Sequence, residues 1–129
     1  VVRRYPKTSY ARDARIKIEL TTDHLAGKEM NIGRYYQQKG EFLAAINRFR
    51  RIIERFQMTS QTPEALHRLT ECYLALGITD EAQMAAAVLG HNYPGNRWYK
   101  DSFALLEGQK LRPLKKSSSW LSWVWDWAL

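Results

Sequence analysis

The chain has 129 residues, which suits one compact domain or a short array of repeats. Lysine and arginine outnumber aspartate and glutamate by 20 to 13, and the formal charge of +7 favours an acidic partner or an anionic surface, although a solvated basic surface is the plainer interpretation. The basic residues carry no DNA-binding or RNA-binding signature, and no stretch approaches the roughly 20 apolar residues of a membrane-spanning helix, so neither a nucleic-acid partner nor a membrane span is expected.

Helical periodicity dominates the first part of the chain. Residues 9–26 place apolar side chains on one face and predict a helix that is capped by Ser9 and breaks at Gly27. A second helix is predicted over residues 28–39, closed by Gly40. The residues expected to point inward on these two helices are Ala11, Ala14, Ile18, Leu25, Ile32, Gly33 and Tyr36.

The helix predicted over residues 42–56 has the clearest amphipathic pattern, with a continuous stripe from Phe42 to Phe56. On its other side Arg48, Arg51 and Arg55 share a face through spacings of three and four. A solvated face is the plainer interpretation of these arginines, and a surface for an acidic partner is the functional alternative.

The rest of the chain is predicted to be helical as far as residue 107. A loop covers 58–63, and Thr62-Pro63 places a cap residue before a first-turn proline. Three helices are predicted to follow: residues 63–76, a helix that starts at Thr79 or Asp80, and residues 97–107. A polar basic linker is expected over 108–119 and a tryptophan-rich segment over 120–129. Because no segment alternates as a strand does, the sequence predicts an all-α fold.

An internal repeat is the most informative feature of the sequence. Tyr36 and Tyr73, Gly40 and Gly77, and Ala45 and Ala82 are all separated by 37 residues, as are Gly33 and Thr70, and Phe49 and Ala86. A small residue at position 33 lets two antiparallel helices approach closely, the tyrosine fills the space between them, and the glycine makes the tight turn. The repeat therefore predicts helix pairs that each leave an apolar face for the next pair to cover, with both tyrosines buried.

This pattern resembles the tetratricopeptide repeat over residues 26–59 and 63–96. The family period is about 34 residues, and here three extra residues lengthen the loop near 59–61. Pro94 stands at the closing proline position, whereas Gln57 replaces that proline in the middle repeat. The resemblance implies antiparallel helix pairs stacked in a right-handed superhelix.

A narrower resemblance rests on the run Gly33-Arg34-Tyr35-Tyr36, then Gly40, then Ala44-Ala45-Ile46-Asn47-Arg48-Phe49. With residues 5–11 and 25–30, this run is similar to the BamD (ComL) family of repeat lipoproteins in the outer-membrane β-barrel assembly machine. The resemblance covers residues 1–107 and implies the C-terminal part of a longer protein. Since the chain starts with Val1 and not with methionine, we expect a fragment whose lipid-bearing cysteine lies upstream.

The resemblance implies a non-enzymatic scaffold at the periplasmic face of the outer membrane, with no cofactor. Its expected partners are the periplasmic POTRA domain of the barrel subunit BamA and the other lipoproteins of the machine. Membrane contact is expected through the lipid anchor that this fragment lacks. The alternative is another periplasmic tetratricopeptide adaptor of the cell envelope, similar to CpoB.

The expected docking surface lies between residues 64 and 107. Its predicted contact residues are Arg68, Glu71, Arg97, Trp98 and Lys100. Arg68 and Glu71 lie off the apolar stripe of their helix and should face outward, and tryptophan and arginine are favoured at binding hot spots.

The other reactive side chains suggest no catalytic or metal site. His24, His67 and His91 lie on different predicted helices without ligand spacing, and surface or helix-end positions are expected for them. Glu64, like Glu71, is expected to be solvated. Cys72 lies on an apolar stripe and is expected to be a buried small residue instead of a nucleophile.

The tail contains Trp120, Trp123 and Trp127, which a helix would gather on one side. These residues are candidates for a tail interaction: contact with lipid headgroups, capping of the last repeat, or docking into a partner chain. We rank capping or docking ahead of lipid contact because so much aromatic area rarely stays in water.

Overall fold

The computed structural model describes residues 8–56, 59–113 and Leu121. In these residues the chain forms five α-helices and no strand, so the all-α prediction is confirmed for this part of the chain. The helices are α1 (Ser9–Gln38), α2 (Phe42–Arg55), α3 (Thr62–Ala75), α4 (Thr79–Asn92) and α5 (Arg97–Gly108).

Helix α1 corrects the prediction of two helices separated at Gly27. It is continuous for 30 residues, because a glycine inside a helix costs only about 1 kcal/mol relative to alanine and no proline follows it. The cap is Thr8 and not Ser9, since the Thr8 side chain accepts a hydrogen bond from the backbone N–H of Ala11 at 3.1 Å.

The inward positions predicted on α1 are correct at Ala11 and Gly33 and wrong at Ile18, Leu25 and Ile32, which are 59%, 41% and 37% exposed. Helix length gives the reason at Ile18: α1 is roughly 45 Å long and α2 roughly 21 Å, so α2 covers only the half of α1 next to the turn. Leu25 and Ile32 lie in the covered half but are turned away from the buried stripe of Ala26, Met30 and Gly33.

Two helix hairpins repeat the same local structure. Gly40 and Gly77 have φ values of +79° and +76°, the left-handed conformation that favours glycine. In the first turn the Glu41 N–H donates to the Tyr36 carbonyl at 2.9 Å, and in the second the Ile78 N–H donates to the Tyr73 carbonyl at 2.8 Å. These bonds are 37 residues apart, as the sequence repeat predicts.

Helix α3 lies at the centre of the packing and contacts α2, α4 and α5. Ala45 and Ala82 are both fully buried, as their equivalence in the repeat predicts. The two tyrosines are less alike: Tyr73 on α3 is buried, whereas Tyr36 on α1 is half-buried against the core. The difference follows from position, because α3 has helices on several sides and α1 packs mainly on α2.

Leu111, Arg112 and Leu121, which follow α5, contact the helices. The Gln83 side chain donates to the Arg112 carbonyl at 2.7 Å, Leu111 packs against the core, and Leu121 is fully buried in that core. Trp120, Trp123 and Trp127 lie outside the described residues. Among the described residues, none of the helices combines the length and apolar composition that a bilayer crossing requires.

Candidate functional site

A polar network joins three helices on one face of the molecule. We call it the α1–α3–α5 face, and its members are Arg34, Gln37, Glu64, His67, Arg68, Glu71, Arg97, Trp98 and Ser102. Helices α1, α3 and α5 each contribute to it, and the contacts between them connect residues 30 or more positions apart in sequence.

Glu64 is the carboxylate at the junction of α1 and α3. Although it is only 8% exposed, its oxygens accept hydrogen bonds from Arg34 and Arg68. The Arg34 Nε donates to Oε2 at 2.9 Å and the Arg34 Nη2 donates to Oε1, while the Arg68 Nε donates to Oε2 at 3.2 Å. Burial alone would raise the pKa of Glu64, but the bonds and charges of Arg34 and Arg68 outweigh it and lower that pKa below its ordinary value. Glu64 is therefore ionised at neutral pH, and the expectation of a solvated carboxylate is wrong.

Glu71 extends the network by two turns of α3. Its Oε1 accepts a hydrogen bond from Gln37 of α1 at 3.1 Å and another from Arg68 Nη1 at 2.9 Å. Arg68 thus bridges Glu64 and Glu71, and its planar guanidinium suits this double role. Burial would lower the pKa of Arg68, but the hydrogen bonds and charges of Glu71 and Glu64 raise it.

His67 connects α3 to α5. Its side chain is only 7% exposed, and its Nδ1 shares a hydrogen bond with the Ser102 hydroxyl at 2.7 Å. Burial lowers the pKa of His67 despite the nearby Glu71 carboxylate, so the ring is neutral at pH 7. The expected surface position of His67 is therefore wrong, because a polar partner 35 residues away lets the ring be buried.

Trp98 brings aromatic surface to the same face. Its backbone N–H is capped by the Asn96 side chain at 2.8 Å, which starts α5. The Trp98 ring centroid lies 5.2 Å from that of His67, 4.4 Å from the Arg97 Cζ and 5.4 Å from the Arg68 Cζ. The two distances to arginine are within the range of cation–π attraction.

The structure brings four of the five predicted contact residues together: Arg68, Glu71, Arg97 and Trp98. Lys100 is exposed on α5. Arg68 and Glu71 are partly exposed, with 27% and 30% of their side-chain surface accessible, because their polar atoms also bond within the chain. Sequence reasoning missed Arg34 and Gln37, since only the stacking of α1 beside α3 reveals their role.

A second charged group lies between α1 and α2. The Glu29 carboxylate is 3.2 Å from Arg48 Nη1 and 3.6 Å from Arg51 Nη1. These two arginines of the predicted basic face therefore have a partner within the chain, while Arg55 is exposed at the end of α2.

Nucleophile and metal chemistry have little basis in the described residues. Cys72 is fully buried, as predicted, and its burial raises the pKa of the thiol to about 12, so the thiol stays protonated. In the part of the chain that the structure describes, no group of three or more His, Cys, Asp or Glu residues is placed to hold a metal ion.

Comparison with known proteins identifies relatives that share most of this chain. Outer membrane protein assembly factor BamD of Caulobacter vibrioides is 58% identical over 113 residues, which cover 88% of this chain and 37% of that protein. The BamD of Rickettsia prowazekii is 49% identical over 107 residues, which cover 83% of this chain and 43% of that protein. That of Neisseria meningitidis serogroup A is 37% identical over 94 residues, which cover 73% of this chain and 35% of that protein.

The chain thus spans about two-fifths of the length of the curated relatives it matches. The family model YfiO, described as outer membrane lipoprotein, matches residues 1–89. That match includes the run from Gly33 to Phe49 and both helix hairpins as far as Leu89. By this match the chain belongs to the YfiO family of outer membrane lipoproteins, which includes the BamD assembly factors.

Proposed function

We propose that the chain is part of a non-enzymatic scaffold in the machinery that assembles outer membrane proteins. The relatives that share most of its sequence are named as outer membrane protein assembly factors, and that name denotes a non-enzymatic role. The scaffold would work at the periplasmic face of the outer membrane, with a lipid anchor as its attachment. The ion-pair network agrees with this function, because its buried polar groups bond to one another and hold the helices together.

We infer that the two helix hairpins stack as tetratricopeptide repeats in a right-handed superhelix. The inference is supported by the turn hydrogen bonds that recur after 37 residues and by the packing of α3 against both α2 and α5. In such an array α1, α3 and α5 are the first helices of successive pairs, so one face of the array carries all three.

The α1–α3–α5 face is our candidate for docking to the periplasmic POTRA region of BamA. The observation that carries this proposal is the continuous network from Arg34 through Glu64, Arg68 and Glu71 to His67 and Trp98. It fixes partly exposed arginine and tryptophan side chains before any partner binds, and such side chains are enriched at binding hot spots. Arg97 extends the same surface along α5, where Lys100 is also exposed.

Charge reversal tests the proposed docking surface. Arg68→Glu and Arg97→Glu should weaken binding of the protein to isolated POTRA domains of BamA more than Arg15→Glu on the exposed first half of α1. Circular dichroism of each variant separates loss of binding from loss of fold, which matters at Arg68 because it also bonds to Glu64 and Glu71. Equal effects at all three positions would exclude a localised interface on the C-terminal helices.

A further inference from the structure

Arg97 differs from the other arginines of the α1–α3–α5 face. Arg34 and Arg68 each bond to a carboxylate of this chain. Arg97 is exposed, and no carboxylate of the described residues lies within ion-pair distance of it. Its contact is with an aromatic ring, since its Cζ lies 4.4 Å from the centroid of Trp98.

Contacts with the hydrophobic core and with His67 hold Trp98 in place. The indole is half-buried against the hydrophobic core and lies beside the buried ring of His67, which is itself bonded to Ser102. Arg68 also approaches the indole, at 5.4 Å, and it is bonded to two carboxylates. Arg97 therefore rests against a side chain with little freedom to move, which lowers the entropy lost when the guanidinium binds a ligand.

Stacking on a ring leaves the binding edge of a guanidinium available. The Arg97 Cζ lies over the Trp98 ring, 4.4 Å from its centroid, and the five N–H donors of a guanidinium lie in the plane of that group. A carboxylate pairs with two of these donors at once, in a planar geometry that a lysine ammonium does not reproduce.

The surrounding charges favour an anion at this point. Glu64 and Glu71 are already paired with Arg34 and Arg68, so the nearby carboxylates of α3 are neutralised. On α5 Lys100 is exposed three residues after Arg97 and adds a second positive charge. Asp101, four residues after Arg97 on the same side of α5, is the one acidic residue in the first two turns and forms no ion pair with Arg97, so two positive charges stand against one negative charge there.

We propose that Arg97, held against Trp98, binds an acidic side chain of the protein that docks on the α1–α3–α5 face. A single carboxylate fits this site better than an anionic membrane, because recognition of lipid headgroups relies on clusters of about four to eight basic residues. Arg97 thus supplies charge specificity at the edge of the surface, and Trp98 supplies apolar contact beside it.

This inference rests on the proposed docking to BamA, and binding of the full-length protein to the soluble periplasmic region of BamA tests it. Arg97→Glu should weaken binding about tenfold or more, and Arg97→Lys should weaken it less, since it keeps the charge but loses the paired donors. Lys28→Glu, an exposed charge reversal on α1, is the matched control and should leave the affinity unchanged.

A charge-exchange experiment identifies which carboxylate of BamA binds Arg97. If exposed Asp and Glu residues of the BamA region are changed to Arg one at a time, one of these variants should bind Arg97→Glu more tightly than unaltered BamA does. Rescue by none of them, or equal binding by Arg97→Glu and Lys28→Glu, would overturn the proposal while leaving the docking function intact.

Two further outcomes would also overturn it. Loss of binding to vesicles with phosphatidylglycerol in Arg97→Glu, with BamA binding unchanged, would assign Arg97 to the membrane. Failure of the unaltered protein to bind BamA would refute the docking function and this proposal together.

Discussion

Gly33 lies so close to Phe49 that a Cβ atom at position 33 would overlap the phenyl ring. The contact joins α1 to α2 and leaves no room for a larger side chain at position 33. The equivalent positions of the second hairpin are Thr70 and Ala86, both fully buried. In the first hairpin the first helix carries the smaller residue of the two and the second helix the larger. In the second hairpin the first helix carries the larger residue, Thr70, and the second helix the smaller, Ala86.

We expect Gly33→Ala to destabilise the protein by about 1–3 kcal/mol, because overpacking against Phe49 outweighs the gain in helix propensity. Urea denaturation measures the change. Gly27→Ala is the matched control on the same helix: its Cβ would meet only the Gln61 side chain, at an ordinary 3.8 Å. The control should stabilise the protein by roughly 0.5–1 kcal/mol. Equal effects of the two substitutions would show that the Phe49 contact is not tight.

Ala45 lies fully buried between helices, so Ala45→Trp should overpack the first hairpin and cost about 1–3 kcal/mol or more. Leu43→Trp, two residues earlier on α2, provides the control because Leu43 is 66% exposed. Thermal denaturation of both variants checks the expectation. A silent Ala45→Trp would contradict the assignment of Ala45 to the helix interface.

Stability should fall in mild acid because of His67. Burial lowers the pKa of His67 in the folded protein below the ordinary 6.5, so the unfolded chain takes up more protons as the pH falls. The contribution of His67 to the free energy of unfolding is therefore complete above about pH 6.5 and decreases as the pH falls below that value. Glu64, whose folded pKa is also lowered, acts in the same direction below its ordinary 4.5. Urea denaturation between pH 7.5 and 5 should show the loss, and His67→Gln should flatten the profile in that range. An unchanged profile in His67→Gln would assign the pH dependence to other groups.

Burial of Leu121 favours capping of the last repeat as the role of the tail. Leu121→Ala should cost about 2–5 kcal/mol, as expected for a buried leucine. Leu20→Ala on α1, where Leu20 is 66% exposed, should change little. Deletion of residues 118–129 should likewise lower the melting temperature. Unchanged stability with loss of vesicle binding would instead support lipid contact by Trp120, Trp123 and Trp127.

Local features of the fold were predictable because local interactions determine them. Gly40 and Gly77 take left-handed conformations that few other residues adopt, so their spacing indicated both turns. Gly27 did not end its helix, because glycine tolerates helical as well as left-handed conformations and its cost is small when neighbours favour the helix. Ile18 has the right periodicity for burial but no helix covers it, and periodicity does not reveal where a neighbouring helix ends.

The candidate site was predictable only in part. Arg68, Glu71, Arg97 and Trp98 were identified from residue type and helix face, and they do lie together. The burial of Glu64 and His67 depends on Arg34 and Ser102, which are distant in sequence. A single sequence does not give the register in which α1 and α5 stack beside α3, and that register decides which polar groups meet.

Because α3 lies at the centre of the packing, the helices differ in how easily they separate from the core. Helix α3 lies against α2, α4 and α5, so its separation would expose the core on several sides at once. The first half of α1 buries little apolar surface, and residues there can unwind while the rest of the helices remain packed. Local opening is therefore expected to begin in the first half of α1, away from the ion pairs around Glu64.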